Sequence, residues 1–433
     1  MASCLAYPGP YQPRDAAATK LGPGPPIGAE SLKDRPPSWI FFLLALPQGV
    51  YFGFVSTAMP WMMAQAGVPV DQIASASALI NLPSVIGFVT APLVDLGRRR
   101  RLWLLLGAAT SAACLLAGML LPLPGSLMAM TALLTAGALL NAFVSSAAGA
   151  LMAATLRDTH RGMASGWFQA GNVGGGAVGG GVILAALQHV SLTTAAIVGA
   201  LFVLLPGMAV LPMKEPEILR PATFRGLGEA LFGMARDRRA HQAAAIFLSP
   251  LGACAFIYLL TALAGDYRAP PDFVTLVNGF GGGIVIAIGS LLGGLVCNRM
   301  ERRRANIAVG TACALVAIAM ILGPMSPMTY AVGTTLYSLA AGMCYTAYLA
   351  LVLDVVDLDG GTGATRFAIL NSAANLPISY MIWADGQGYR HFGAHGLLGV
   401  DGGAALLSAV VLYAIVRRWA VPAPFAPIEA EMR

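Results

Sequence analysis

Long apolar stretches alternate with short polar connections along almost the whole chain. Each stretch has about 18 to 25 residues, the length that a helix needs to cross a hydrocarbon layer of ~30 Å. Twelve can be separated, at residues 38–58, 73–93, 102–121, 126–150, 163–187, 191–212, 241–263, 273–297, 305–324, 328–353, 364–384 and 397–416. The pattern predicts an all-α polytopic membrane protein with twelve transmembrane helices.

The composition agrees with this pattern. Hydrophobic residues make up 57% of the 433 residues, charged residues only 11%, and the mean hydropathy is +0.72. These values exclude a water-soluble globular protein of ordinary composition. The six cysteines show no CxxC spacing and are interpreted as small packing residues, not as a metal or redox site. They are Cys4, Cys114, Cys254, Cys297, Cys313 and Cys344.

The longest polar segment inside the chain divides the predicted helices six and six. It contains Phe224, Leu227, Leu231 and Met234 on one helical face, so an amphipathic helix on the cytoplasmic surface is expected there. The proline-rich N-terminal segment contains no apolar run and predicts a disordered tail instead of a signal peptide. The expected organisation is a tail (1–37), a six-helix bundle (38–212), a linker (213–240), a second bundle (241–418) and a tail (419–433).

The basic residues are placed asymmetrically. If both termini lie on one side, all of the 26 lysines and arginines except Arg268 and Arg390 lie on that side too. The positive-inside rule then places both termini in the cytoplasm. The expected location is the bacterial inner membrane. The net charge of +6 therefore reflects topology and not a nucleic-acid partner.

A charged motif follows the second apolar stretch, in "APLVDLGRRRR" (91–101), and a related one follows the eighth, in "NRMERRRA" (298–305). An offset of 203 residues places Asp95 on Asn298, and it also places Pro47 and Gly49 on Pro250 and Gly252. The sequence therefore predicts two related halves.

This arrangement resembles the major facilitator superfamily, whose motif after helices two and eight reads Gly, three residues, Asp, Arg, one residue, Gly, Arg, Arg. The second copy matches at Gly294, Asn298, Arg299, Arg302 and Arg303, with Asn for Asp and Glu301 for Gly. The first copy keeps Asp95 and the four residues Arg98, Arg99, Arg100 and Arg101 but has Ala91 for the leading Gly.

The resemblance implies that these charges form a gate. A carboxylate at the end of helix two can meet the positive N-terminal end of helix eleven, while the arginines bridge to neighbouring helix ends. Asp95 and the basic residues are expected to latch the cytoplasmic side and to release it when the bundles rock apart. The alternative is that the arginines only set the topology.

Within the superfamily, three stretches resemble the AmpG-like permeases, a group with muropeptide, siderophore and acetyl-CoA transporters. They are residues 46–95, "RGMASGWFQAGN" (161–172) and "GATRFAILNSAANLP" (363–377). The resemblance implies uptake of a polar or amphipathic solute. Acidic residues that are frequent in helix four of this group are absent from residues 139–156.

Polar side chains inside predicted helices are the candidates for a substrate cavity, because burying them in lipid is costly. The alternative for each is a hydrogen bond between helices. The candidates are Gln48, Tyr51, Asn81, Asn141, Gln169, Asn172, Tyr258, Asn278, Tyr345, Asn371 and Asn375. Such neutral groups suit a sizeable amphipathic solute better than a small anion.

Few ionisable groups are placed to carry a proton. Asp354 ends helix ten and Arg366 starts helix eleven, so a pair that switches with conformation is expected to couple transport to protons. The alternative is that Asp354, Asp357 and Asp359 only balance Arg366. The groups on the far side, Asp266, Asp272, Asp385, His391 and His395, are expected to be solvated.

Helix five is rich in glycine. Gly162, Gly171, Gly175, Gly179 and Gly180 match the spacing of an antiporter motif of drug exporters, with Gly176 in place of its proline. Close packing against helix eight also explains these glycines and is the preferred interpretation, because a chance match is easy in a segment so rich in glycine.

The sequence therefore predicts a monomeric secondary transporter for AmpG-like, proton-coupled uptake of a muropeptide, siderophore or similar solute. Proton-linked drug or metabolite export is the alternative, and a transporter-like receptor without transport is the alternative of another class. No enzyme activity, cofactor, metal or nucleic-acid partner is expected; the partners are the solute and membrane lipids.

Overall fold

The computed structural model describes residues 36–86, 89–96, 99–156, 158–213, 232, 244–274, 276–277, 281–356 and 362–418. Within these residues the regular secondary structure is helical, and nine helical segments are long and apolar enough to cross a membrane. The all-α polytopic fold is confirmed. Apart from residues 36, 37, 213 and 232, the predicted tails and linker helix lie outside the described residues.

The described residues of the first half form nine α-helices. They are α1 (Ile40–Gly53), α2 (Met59–Gln65), α3 (Val70–Ile86), α4 (Ala91–Leu96), α5 (Arg100–Met119), α6 (Leu127–Thr155), α7 (Asp158–Gln169), α8 (Gly175–His189) and α9 (Leu192–Gly207). A π-helical turn, Phe54–Ala58, joins α1 to α2, and another, Ala170–Gly174, joins α7 to α8. Each joined pair forms one membrane-crossing segment.

In the second half, a short helical stretch at residues 244–247 precedes a 3-10 helix, Ala255–Leu263. The α-helices that follow it are α10 (Pro271–Val274), α11 (Gly281–Arg299), α12 (Arg302–Leu322), α13 (Pro327–Val355), α14 (Gly363–Ala373) and α15 (Asn375–Arg418). Gly393 interrupts α15 with φ +60° and ψ −147°. Gly388 and Gly396 pack against each other across this break, each with its carbonyl oxygen at the place of the other's missing Cβ, so α15 contains parts of two antiparallel helices.

The seventh predicted span, 241–263, is not one continuous helix in its described part. Residues 244–247 are helical, a turn follows, and the chain resumes as the 3-10 helix. Gly252 has φ +79° and Cys254 has φ +51°, in the left-handed region that ends a helix. The equivalent Pro47 lies inside an unbroken α1, so the conformation of Gly252, and not the proline alone, makes the difference.

The glycines of α7, α8 and the turn between them allow close helix packing. Five of them, Gly171, Gly175, Gly176, Gly179 and Gly180, lie against α1, where a Cβ would meet backbone or side-chain atoms. Gly162, Gly166 and Gly174 lie against α11. The packing expected against helix eight is therefore present, but most of these glycines pack against helix one.

Candidate functional site

Asp95 caps a helix that is distant in the sequence. Its side chain is fully buried, and its two carboxylate oxygens accept hydrogen bonds from the backbone N–H groups of Ala364 (2.9 Å) and Thr365 (2.7 Å). These N–H groups lie in the first turn of α14, where they have no partner within the helix. The preceding residue, Thr362, makes no side-chain capping hydrogen bond, so Asp95 caps the N-terminus of α14 instead. This is the geometry that the sequence predicted for helix eleven.

Two arginines tie further helix ends to the same place. Arg100 is buried; its guanidinium lies 3.9 Å from the Asp95 carboxylate and donates to the Ala150 carbonyl at 3.5 Å. Arg101 donates to the carbonyls of Met213 (2.7 Å) and Leu211 (2.9 Å), just after α9. Arg99 is exposed, and Arg98 lies outside the described residues. The basic end of the molecule is thus tied to α6, the segment after α9, and α14.

The Asp95 carboxyl is held between opposing effects. Burial raises its pKa, while the backbone N–H groups of Thr365 and Ala364, the Thr365 side chain and Arg100 act in the opposite direction. The charged form therefore depends on the start of α14 staying in place.

The second half carries its own ion pairs at this end. Asp354, whose side chain is about one-third exposed, pairs with Arg302 of α12, and Arg161 of α7 lies 3.6 Å from it. Arg161 is buried and donates to the Leu353 carbonyl at 3.1 Å. Among the described residues, the expected pairing of Asp354 with Arg366 is not found, because α7 and α12 bring two other guanidinium groups to the end of α13.

The two charged motifs occupy equivalent positions. Asp95 meets the N–H of Thr365, and Asn298, one repeat further on, lies with its Oδ1 against Gly162, which is equivalent to Thr365. Gly294 also packs against Gly162. Of the other predicted gate residues, Arg299 is exposed and Arg303 is half-buried. Arg161 was not predicted, although it immediately precedes Gly162.

Several predicted cavity residues bond to neighbouring helices. The Tyr51 hydroxyl donates to the Leu134 carbonyl (2.6 Å), the Asn141 amide to the Pro47 carbonyl (3.2 Å) and the Gln169 amide to the Tyr345 carbonyl (3.2 Å). Only the last of these bonds joins the two halves. These three side chains therefore form the hydrogen bonds between helices that were the alternative to lining a cavity.

Other cavity candidates make shorter-range contacts or none that is described. Asn172 donates to Gln169 at 3.5 Å, and Asn81 donates to the Ser77 carbonyl of its own helix. Tyr258 is half exposed. Asn371 and Asn375 are half-buried on α14 and α15, and Asn278 lies outside the described residues.

Two buried hydrogen-bond acceptors lie on α1 and α6, two helices that contact each other. The Oε1 of Gln48 and the Oδ1 of Asn141 have no hydrogen-bond partner among the described residues. The Asn141 amide is bonded to Pro47, the residue before Gln48. Because an unpaired buried acceptor is costly, a solute that donates hydrogen bonds would be stabilised at this place.

Asp385 corrects one prediction. It was expected to be solvated, but its side chain is fully buried, and neither carboxylate oxygen has a partner among the described residues. The eleventh span was predicted to end at residue 384, whereas α15 continues without a break to the turn at Gly393. Asp266, His391 and His395 are exposed as predicted, and the Asp272 side chain lies outside the description.

The family is decided by a match over most of the chain. The family model described as Major Facilitator Superfamily matches residues 41–381. The chain belongs to this superfamily. No curated protein matches the chain.

Solved structures of the superfamily share the fold. The human organic anion transporter MFSD10 is 19% identical, with a TM-score of 0.64, over 87% of this chain and 100% of its own. The proton:xylose symporter XylE is 12% identical, with a TM-score of 0.67, over 88% and 96%. The E. coli fucose:proton symporter FucP is 14% identical, with a TM-score of 0.65, over 87% and 97%. At these identities the likeness concerns the fold alone.

Proposed function

We propose that the protein is a secondary active transporter that works by alternating access, with the Asp95 contact as its cytoplasmic gate. The observation that carries this proposal is the pair of hydrogen bonds from the first turn of α14 to Asp95. Carboxylate, amides and guanidinium groups join segments of both halves at one end, so rocking of the halves has to break them. The distribution of basic residues supports placing this end in the cytoplasm of a bacterial inner membrane.

The proposed activity is AmpG-like uptake of a polar or amphipathic solute such as a muropeptide or siderophore. The unpaired acceptors of Gln48 and Asn141 support this choice, since they suit a solute that offers hydroxyl or amide donors. A small anion would instead require arginine or lysine in the middle of the membrane. Export is supported only by the glycine pattern of helix five, and these glycines all have packing partners. A receptor without transport would need no gate that opens and closes.

Two acidic residues are proposed for proton coupling. Asp354 was predicted as a coupling site together with Arg366. In the structure it forms ion pairs with Arg161 and Arg302, and protonation of the Asp354 carboxylate would weaken both pairs. Asp385 is the second candidate because a buried carboxyl without a partner is costly in its charged form and is expected to bind a proton.

The first test is thermal stabilisation of the detergent-purified protein by anhydro-muropeptides, siderophores, acyl-CoA esters and cationic drugs. A ligand at one hundred times its dissociation constant adds about 2.7 kcal/mol to the stability of the folded state. We expect stabilisation by a muropeptide or siderophore, and its loss in Asn141→Leu. Gln72→Leu is the matched control, because Gln72 is exposed.

Uptake into proteoliposomes then decides the direction. A pH gradient, acidic outside, should accelerate accumulation of the stabilising solute. Stabilisation by cationic drugs alone, with efflux in place of uptake, would contradict the import proposal.

A further inference from the structure

Three cysteines converge in the apolar core of the second half. Cys254 lies just before the 3-10 helix, Cys313 in the middle of α12 and Cys344 in α13, and all three are buried. Their sulfur atoms lie within 4.8 Å of one another, and the Cys254 and Cys313 sulfurs are 3.7 Å apart. Three separate elements thus bring three thiols to one point.

The spacing of the sulfurs suits a single metal ion. A metal–sulfur bond of about 2.3 Å places sulfurs around a common ion roughly 3.8 to 4.0 Å apart. The 3.7 Å between Cys254 and Cys313 is close to this value. The Cys344 sulfur lies within 4.8 Å of both.

We propose that Cys254, Cys313 and Cys344 form a binding site for a soft monovalent cation, Cu(I). Thiolates select soft ions such as Cu(I), whereas magnesium and calcium require oxygen ligands. Structural zinc takes four ligands, and the cluster provides three. A thiol ligand gives up its proton on binding, so the ion enters as protons leave and the oxidation state of copper does not change.

A buried acid beside the cluster also points to a cation. Asp401 is buried, and its Oδ2 accepts a hydrogen bond from the Tyr337 hydroxyl at 2.7 Å. Tyr337 packs in the same apolar cluster as the three cysteines. No lysine, arginine or histidine forms an ion pair with Asp401 among the described residues.

The backbone at Cys254 supports the same conclusion. A non-glycine residue with positive φ is uncommon, and Cys254 has φ +51°. The broken start of the second half therefore directs a thiol toward α12 and α13, in a place where the equivalent segment of the first half is an ordinary helix. Packing alone would be met by any small apolar side chain in a helix.

The test is a titration of the full-length protein with Cu(I), supplied as its coloured bicinchoninate complex under a reductant that is not a thiol. Cys4→Ser, Cys114→Ser and Cys297→Ser are combined as the matched control, since Cys114 and Cys297 are outside the cluster. We expect this control to bind one ion per chain, and X-ray absorption to show three sulfur neighbours. Cys254→Ser, Cys313→Ser and Cys344→Ser, combined, should abolish tight binding.

Folding is checked by gel filtration and by thermal unfolding, and Cys344→Ala alone is the milder variant if the combined one does not fold. Copper bound by nitrogen or oxygen atoms in the control protein would overturn the proposal even if no cluster variant folds. So would undiminished binding in a folded cluster variant. A Cys254–Cys313 disulfide that forms readily, together with a reduced protein that binds no Cu(I), would overturn it as well.

Discussion

The Asp95 carboxylate accepts a hydrogen bond of 2.9 Å from the backbone N–H of Ala364, a residue 269 positions further along the chain. With the second bond from Thr365 it replaces the missing cap of α14. Because the contact joins the two halves, we propose that its strength sets the fraction of molecules that are closed at the basic end.

Asp95→Asn should open the basic end. Asparagine keeps the size of the side chain, but it loses the charge and can accept at one atom only, so one N–H of α14 loses its partner. Hydrogen bonds to charged groups contribute about 1.5–3 kcal/mol, and a loss of about 2 kcal/mol shifts the open population roughly 30-fold. Ala153→Cys, buried in the apolar cluster that includes Phe367, should then react faster with a water-soluble maleimide.

Asp266→Asn is the control for this experiment, since Asp266 is an exposed acid that makes no contact with α14. The affinity for the stabilising solute should stay within a few-fold in both variants. Unchanged labelling of Ala153→Cys, or a large loss of affinity with normal labelling, would remove Asp95 from the gate.

Asp354 and Arg302 should show coupled effects. Asp354→Asn leaves two guanidinium groups without their carboxylate, and the expected destabilisation is about 1–3 kcal/mol because the pair is partly exposed. Adding Arg302→Gln should restore part of this loss. Thermal unfolding of both single variants and the double variant gives the coupling energy. Strictly additive effects would mean that the ion pair contributes nothing.

Gly180 should tolerate no side chain. A Cβ at this position would meet the backbone of Gly53 on α1, so Gly180→Val is expected to cost about 1–3 kcal/mol by separating the two helices. Gly403→Ala is the matched control, because Gly403 lies in a helix with open space around it. The control should be neutral or up to ~1 kcal/mol more stable. Equal melting temperatures for both variants would disprove the close packing.

Asp385→Asn should uncouple transport from the proton gradient. The substitution removes the titrating group from a buried site, so uptake should become independent of external pH while exchange of labelled for unlabelled solute continues. Asp354→Asn, measured in parallel, identifies which acid carries the proton. If uptake by Asp385→Asn keeps its normal pH dependence while uptake by Asp354→Asn becomes independent of pH, the proton site is Asp354, as predicted from the sequence.

Much of the fold could be predicted because lipid imposes a simple pattern on sequence. The predicted spans 102–121 and 305–324 correspond closely to α5 and α12. The contact of Asp95 with the start of helix eleven was implied by the family resemblance, in which a carboxylate meets the free N–H groups of a helix start. Where apolar periodicity and charge agree, the sequence is sufficient.

The rest depended on contacts between distant residues. The span 241–263 looks like a membrane helix by hydropathy, but nothing local reveals the left-handed Gly252 and Cys254. Asp385 was misplaced because α15 continues past the predicted end at residue 384 to the turn at Gly393, and Asp385 is buried in this continuation. The three converging cysteines have the same sequence surroundings as packing residues, and only the fold brings their sulfurs together.

The most direct test of the account is the distance between the two halves at the basic end, measured by pulsed electron paramagnetic resonance. Spin labels are placed with Leu93→Cys on α4 and Met300→Cys between α11 and α12, two exposed positions, after Cys4→Ser and Cys114→Ser. We predict a short distance in the resting protein, and a second, longer one that grows with the transported solute and with Asp95→Asn. One unchanged distance under all three conditions would contradict a gate at Asp95.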